Sequence, residues 1–181
     1  MCTNGARSDK MSDAFLVLGS EYYALARYSA QAFFMPICAT MFHHALEMLL
    51  KGYLIRTHTS AELKAAGHNL SVLWSTFKAS TPGPALARFD TTISRLDRVE
   101  SLRYPDAIVD EGFTLHVSIG SHSPLSLPGT GELPQFYVDV HDIDALALSV
   151  FAACAVSPAA YFQGTPAELA NALPRDFMPT T

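Results

Sequence analysis

Apolar residues recur at three- and four-residue steps along most of the chain and at alternate positions only in two short runs near residues 113 and 140, so the pattern predicts helices with one small β insertion. Ser12 can cap a first helix over about residues 13 to 34, with Phe15, Leu18, Tyr22, Leu25 and Phe33 on its apolar stripe. Met35-Pro36 interrupts it, and Pro36 suits the first turn of a second helix that runs to about Arg56. These two long helices, joined by a tight turn, are expected to pack antiparallel. Thr59-Ser60-Ala61-Glu62 has the spacing of a capping box and opens a short helix that Gly67 ends. His68-Asn69-Leu70 then enters a helix over about residues 71 to 78, with Leu73, Trp74 and Phe77 inward. Beyond the break at Thr81-Pro82-Gly83-Pro84, one helix is predicted from about residue 85 to 102, closed by Arg103-Tyr104-Pro105-Asp106 because a residue before proline avoids helical geometry.

The period then changes. Phe113, Leu115, Val117 and Ile119 alternate with polar residues, as do Phe136, Val138 and Val140, and together they predict a two-stranded hairpin with a long Gly/Ser/Pro-rich loop over 120–134. Asp142 opens a last long helix with Ile143, Leu146, Ala147, Val150, Phe151 and Cys154 on one face, which Pro158 ends. Thr165-Pro166-Ala167-Glu168 is a second capping-box match before a short terminal helix that Pro174 stops. The fold class expected is mainly α, an up-and-down helical bundle of four to five long helices with a small β-hairpin, about 113–141, inserted before the last long helix. Residues 1–11 are expected to be a flexible extension, and 12–181 a single domain.

The second helix is the most informative segment. At 100° per residue, Thr40, His43, His44, Glu47 and Lys51 share an arc of about 100°, and the rest of the surface is apolar. A helix so nearly apolar all round belongs at the centre of a bundle. Its polar stripe must then meet either solvent along one edge or polar groups of a neighbouring helix, because a buried unpaired group costs on the order of 1–3 kcal/mol.

Composition narrows the function classes. A chain of 181 residues can bury a full core as one domain. Cys2, Cys38 and Cys154 are too far apart for a disulfide framework or a structural zinc site, and read as one thiol in the terminus and two in the core. No apolar signal core opens the chain, and the longest apolar stretch, 145–156, is too short to span a bilayer, so the expectation is a cytoplasmic protein that does not enter membranes. Net charge is −5 with no Lys/Arg block, which argues against broad electrostatic capture of nucleic acid and leaves room only for a local site.

Few residues carry a chemical signal. His43, His44 and Glu47 share a helix face, but His-Glu-x-x-His is absent and the spacing implies no third ligand, so neither a metal nor another cofactor is expected. Glu47 and Lys51 have the favourable i,i+4 order for an ion pair. His68 follows a glycine at a helix entrance, where capping is the simpler role and catalysis the sharper one. Arg103 suits a helix C-terminus, and beside Tyr104 it could hold a phosphate while the ring stacks a base. His116, His122 and His141 are expected on the surface. No phosphate loop, nucleophile elbow or reactive Cys-His pattern occurs.

Three segments, Ala45-Leu46-Glu47-Met48-Leu49-Leu50-Lys51-Gly52-Tyr53-Leu54, then Gly67-His68-Asn69-Leu70-Ser71-Val72-Leu73, then Leu102-Arg103-Tyr104-Pro105-Asp106, together resemble the HEPN family of helical domains in order and spacing, over about two thirds of the chain. The resemblance implies a bundle of four or five helices that dimerises through its helices. Many members are metal-independent RNases, often toxins, in which an Arg followed after four to six residues by a His forms the site; the Arg would stabilise the phosphorane charge and the His would move the 2′-hydroxyl proton. Here no His follows Arg103 until His116, and no other Arg has a His at that spacing. The expected function is therefore a non-catalytic HEPN-like binding or partner module, homodimeric, with a polar groove of Glu47, Lys51, His68, Arg103 and Tyr104 that contacts RNA, a nucleotide or a protein. The alternative is a metal-independent RNase with a rearranged site in which Arg103 and His68 are the catalytic candidates.

Overall fold

The computed structural model describes residues 3–81, 84–104, 109, 112–119 and 134–178. It is a mainly helical bundle with a two-stranded sheet inserted before its last long helix. The helices are α1 (Thr3–Gln31), α2 (Met35–Leu54), α3 (Ser60–Ala66), α4 (Leu70–Ser80), α5 (Asp90–Val99), α6 (Val140–Ala153), α7 (Ala159–Phe162) and α8 (Ala167–Ala170), with 3₁₀ turns at Pro84–Phe89, Glu100–Arg103 and Arg175–Phe177.

Helix α2 lies at the centre, packed on α1, α4, α5 and α6, as its apolar circumference requires. Phe42, Ala45, Leu46, Leu49, Leu50 and Leu54 are fully buried. Close approach to α1 rests on small residues. A Cβ added at Gly19 would lie 3.0 Å from Leu49 Cδ2 and 3.1 Å from the Leu49 backbone nitrogen, and one added at Gly52 would lie 3.0 Å from Leu16 Cδ2. The hydroxyl of Ser12 donates to Gly52 O at 2.7 Å and that of Ser8 to Ile55 O at 2.9 Å, so polar atoms at this seam are paired across it. Arg56 extends the tie by donating to Ser12 Oγ at 3.1 Å and to Cys154 O at 2.8 Å.

Four local expectations change. Helix α1 begins at Thr3, not at Asp13, so residues 3–11, expected to be a flexible extension, belong to it; the segment holds no proline, Ser12 binds a carbonyl of α2 and Ser8 that of Ile55 just after it, which makes Ser12 an interior contact rather than a cap. The two strands, β1 (Thr114–Ser118) and β2 (Gln135–Asp139), run parallel, not as a hairpin, with Thr114 opposite Gln135 and Ser118 opposite Asp139. A connection of this length suffices for a crossover, whereas a hairpin needs only a tight turn. The helix predicted over 85–102 is divided into a 3₁₀ turn, α5 and a second 3₁₀ turn. Trp74 Nε1 and Lys78 Nζ hold Asp90 at 2.7 Å and 2.6 Å where α5 begins. At 165–168 no capping box forms, and α8 starts after Pro166 without a side-chain cap.

Other expectations stand. Thr59 and Glu62 form the capping box of α3, Gly67 ends that helix at φ +60°, and Cys38 and Cys154 are buried free thiols. Of the predicted loop over 120–134, residues 120–133 with His122 lie outside the described residues, as do the break at Pro82-Gly83, Pro105-Asp106 and Cys2. His141 is exposed, while His116 is half-buried and stacks on Tyr137 with ring centroids 4.8 Å apart. Among the described residues no helix is long and apolar enough to cross a membrane. A Gly19→Val substitution should lower the unfolding free energy by about 1–3 kcal/mol through overpacking against the Leu49 backbone, read as a lower urea midpoint at unchanged slope.

Candidate functional site

Most of the polar stripe of α2 faces protein, and its half-buried Thr40 and His44 line an open cleft. His43 and Glu47 are fully buried and Lys51 is 9% exposed. Each meets a partner supplied by another segment. Glu47 Oε1 accepts from Lys51 Nζ at 2.6 Å, and Oε2 lies 3.3 Å from His44 Nδ1 and 3.0 Å from His68 Nδ1. Lys51 Nζ also donates to Gly67 O at 2.8 Å. The two nitrogens of His43 lie 3.0 Å from Leu96 O and 3.0 Å from His68 O. A neutral imidazole donates to one acceptor only, and Glu100 Oε2, otherwise without a hydrogen bond, lies 3.5 Å from His43 Nε2.

The loop between α3 and α4 is held in place to meet this stripe. Gly67 turns the chain at positive φ, Asn69 Oδ1 caps α4 by accepting from Val72 N at 2.8 Å, and Asp97 of α5 accepts from Leu70 N at 2.8 Å and Ser71 Oγ at 2.6 Å. His68 is thus not the cap that its position suggested. Its carbonyl is bound by His43 and its ring by Glu47, while 59% of the side chain is exposed.

Burial alone would push the Glu47 carboxyl up, but the hydrogen bonds from His44, Lys51 and His68, together with the Lys51 charge, outweigh it and hold the group at about 2. The carboxylate is therefore a fixed negative charge, with one oxygen given to Lys51 and the other to two imidazoles.

Beside the cluster lies an open cleft of about 380 Å³, lined by Tyr22, Ile37, Thr40, Met41, His44 and Arg103 among others. Arg103, at the end of the 3₁₀ turn that follows α5, donates to Glu100 Oε1. Its basicity is raised first by that hydrogen bond and, against some desolvation, by the charges of Glu100, Tyr104 and Glu47. Tyr104 is 61% exposed. Glu100 thus stands between the buried His43 and the cleft-facing Arg103.

Of the five residues proposed for the groove, Glu47, Lys51 and His68 meet in one hydrogen-bonded cluster, and Arg103 joins through the cleft it shares with His44. Lys51 faces a different, smaller cavity beside Met11, Phe15 and Leu63. His44 and Glu100 were missed as groove residues. The i,i+3 spacing of His44 and Glu47 was legible in the sequence, whereas no spacing signals that Glu100 reaches His43. Comparison of the chain with models of protein families, with curated proteins and with solved structures gave no match.

The sign of the pH dependence follows from the depressed Glu47 acidity. An unfolded Glu titrates near about 4.3, so the stabilisation is complete above that pH and is lost as pH falls toward about 2. Glu47→Gln should cost about 3 kcal/mol at pH 7 by leaving Lys51 unpaired, and should flatten the decline of urea-derived stability between pH 5 and 3 relative to the parent.

Proposed function

We propose that this chain is a non-catalytic, HEPN-like helical binding module that works as a homodimer and takes RNA or a nucleotide through the cleft between His44 and Arg103. The carrying observation is that His44 and Arg103 line one open cleft while the adjacent carboxylate of Glu47 is already neutralised by Lys51. An anionic phosphate entering there meets a guanidinium and an imidazole without facing an uncompensated carboxylate. Exposed Tyr104, next in sequence to Arg103, supplies a ring on which a base can stack. With a net charge of −5, such a local site is the form of phosphate recognition that the composition allows.

A second reading, a metal-independent RNase with a rearranged site, is favoured by one observation: His44 and His68 are oriented by the same buried carboxylate, and His44 shares its cleft with Arg103. A base held by a carboxylate beside a cation is the arrangement that proton transfer from a 2′-hydroxyl would use.

Homodimerisation is supported by apolar side chains left on the outer face of α1. Val17, Leu18, Leu25 and Tyr28 share an arc of about 100° and are between 38% and 46% exposed, and Phe33, Phe34 and Ile37 extend the exposed apolar surface at the junction with α2.

Labelled single-stranded and structured RNAs incubated with purified protein in EDTA should be bound and remain intact, and Arg103→Ala should weaken binding about tenfold, equivalent to about 1.4 kcal/mol. Cleavage that disappears in Arg103→Ala, His44→Ala and His68→Ala would replace the binding module by the RNase, and absence of both binding and cleavage would remove the cleft from consideration. Light scattering behind size exclusion should give a dimer mass, reduced to the monomer by Leu25→Glu combined with Tyr28→Glu, with helical circular dichroism unchanged.

A further inference from the structure

The same fold that buries Glu47 brings together a set of groups whose chemistry is not limited to hydrogen bonding. We propose that His44, Glu47 and His68 form a binding site for a divalent transition-metal ion of the imidazole-preferring kind, such as Zn²⁺ or Co²⁺. One ligand atom from each residue can be chosen so that all three lie within 4.8 Å of one another.

Distances carry the inference. In a tetrahedral site with metal–ligand bonds of about 2.1 Å, ligand atoms are separated by about 3.4 Å. Glu47 Oε2 lies 3.3 Å from His44 Nδ1 and 3.0 Å from His68 Nδ1, so two of the three edges already have the required length. Since the chosen ligand atoms all lie within 4.8 Å of one another, the remaining edge has at most about 1.4 Å to close, and rotation of the His68 side chain, 59% exposed, can supply it. The His44 and His68 rings stand 78° apart with centroids separated by 6.0 Å, so they approach the carboxylate from different sides and do not stack.

Two further features suit a metal. Lys51 occupies Glu47 Oε1 and fixes the carboxylate, which leaves Oε2 as a single ligand atom, and its own tie to Gly67 O holds the loop that carries His68. The exposure of His68 leaves the outer side of the site open for water or an anionic oxygen in the fourth position, as in zinc sites with three protein ligands. Each imidazole would coordinate through Nδ1 and carry its proton on Nε2. The thiols of Cys38 and Cys154 do not compete, since burial pushes them up to about 12 and about 11.

Direct titration of the chelator-stripped full chain, carrying Cys2→Ser to remove the remaining thiol, is the test. Calorimetry with Zn²⁺ should show one saturable site per chain. Co²⁺ should give a visible absorption spectrum of nitrogen and oxygen ligation without a thiolate charge-transfer band. His68→Ala, which alters an exposed side chain, and His44→Gln should each weaken Zn²⁺ binding at least tenfold, with helical circular dichroism preserved, whereas His116→Ala should leave it unchanged. No saturable binding, or equal binding by His68→Ala and the parent, would overturn the site. Because the readout is metal binding itself, it is decided separately from the binding or cleavage of RNA in EDTA.

Discussion

A carboxylate fully removed from solvent in the middle of the most apolar helix is the constraint around which the rest of the molecule is arranged. Taking Glu47 out of water is unfavourable by several kcal/mol unless charge and hydrogen bonds replace the lost hydration. Lys51 lies one turn along the same helix, but one ammonium cannot satisfy both oxygens. The remaining lone pairs are met by His44 from α2 and by His68 from the loop between α3 and α4. That loop must therefore stand at a defined height along α2. The positive-φ turn at Gly67, the Asn69 cap and the clamp of Asp97 on the first turn of α4 each contribute to placing it there.

The consequences spread outward from that loop. Its two carbonyls, Gly67 O and His68 O, accept from Lys51 and contact His43, so the backbone as well as the side chain is bound to the stripe. His43 in turn reaches Leu96 O and approaches Glu100, and Glu100 holds Arg103 at the rim of the cleft. A line of polar contacts thus runs from a buried carboxylate to an exposed cation across three segments that are distant in sequence: α2, the loop before α4, and α5 with its 3₁₀ turn. Breaking the α5 region into a helix and a 3₁₀ turn matters here, since the tighter winding sets where Glu100 and Arg103 emerge beside α2.

Opposite this polar seam, α1 and α2 meet through Gly19, Gly52 and serine hydroxyls, and a second tie fixes the last long helix. Asp144 accepts from Arg27 at 2.5 Å and from the buried Tyr23 hydroxyl, while Arg27 Nε donates to Ala172 O at 2.6 Å. Tyr23 stacks on Phe177 with centroids 4.8 Å apart, so the C-terminal segment closes the bundle by packing its aromatic rings on α1. These contacts leave α2 enclosed on most sides, and its polar arc reaches solvent through Thr40 and His44 at the open cleft and through the partners that other elements bring to it.

Hydrophobic period, capping spacing and breakers by themselves determined the helical class, the extent of α2 to within two residues, the α3 capping box, the Gly67 stop, the buried cysteines and the place of the β insertion, because each depends on residues close together in the chain. The Glu47–Lys51 pair was legible for the same reason. Tertiary structure alone decided that His43, Glu47 and Lys51 of the polar arc are buried, that His68 binds Glu47 rather than capping α4, that Glu100 mediates between His43 and Arg103, that the strands run parallel and that α1 extends back to Thr3. Those outcomes depend on which surfaces meet across roughly 20 to 60 residues of sequence, where a serine that reads as a cap can instead find a carbonyl of α2 and a half-polar helix face can find its partners in a loop. Local pattern records which groups need satisfying, and only packing determines which distant atoms satisfy them.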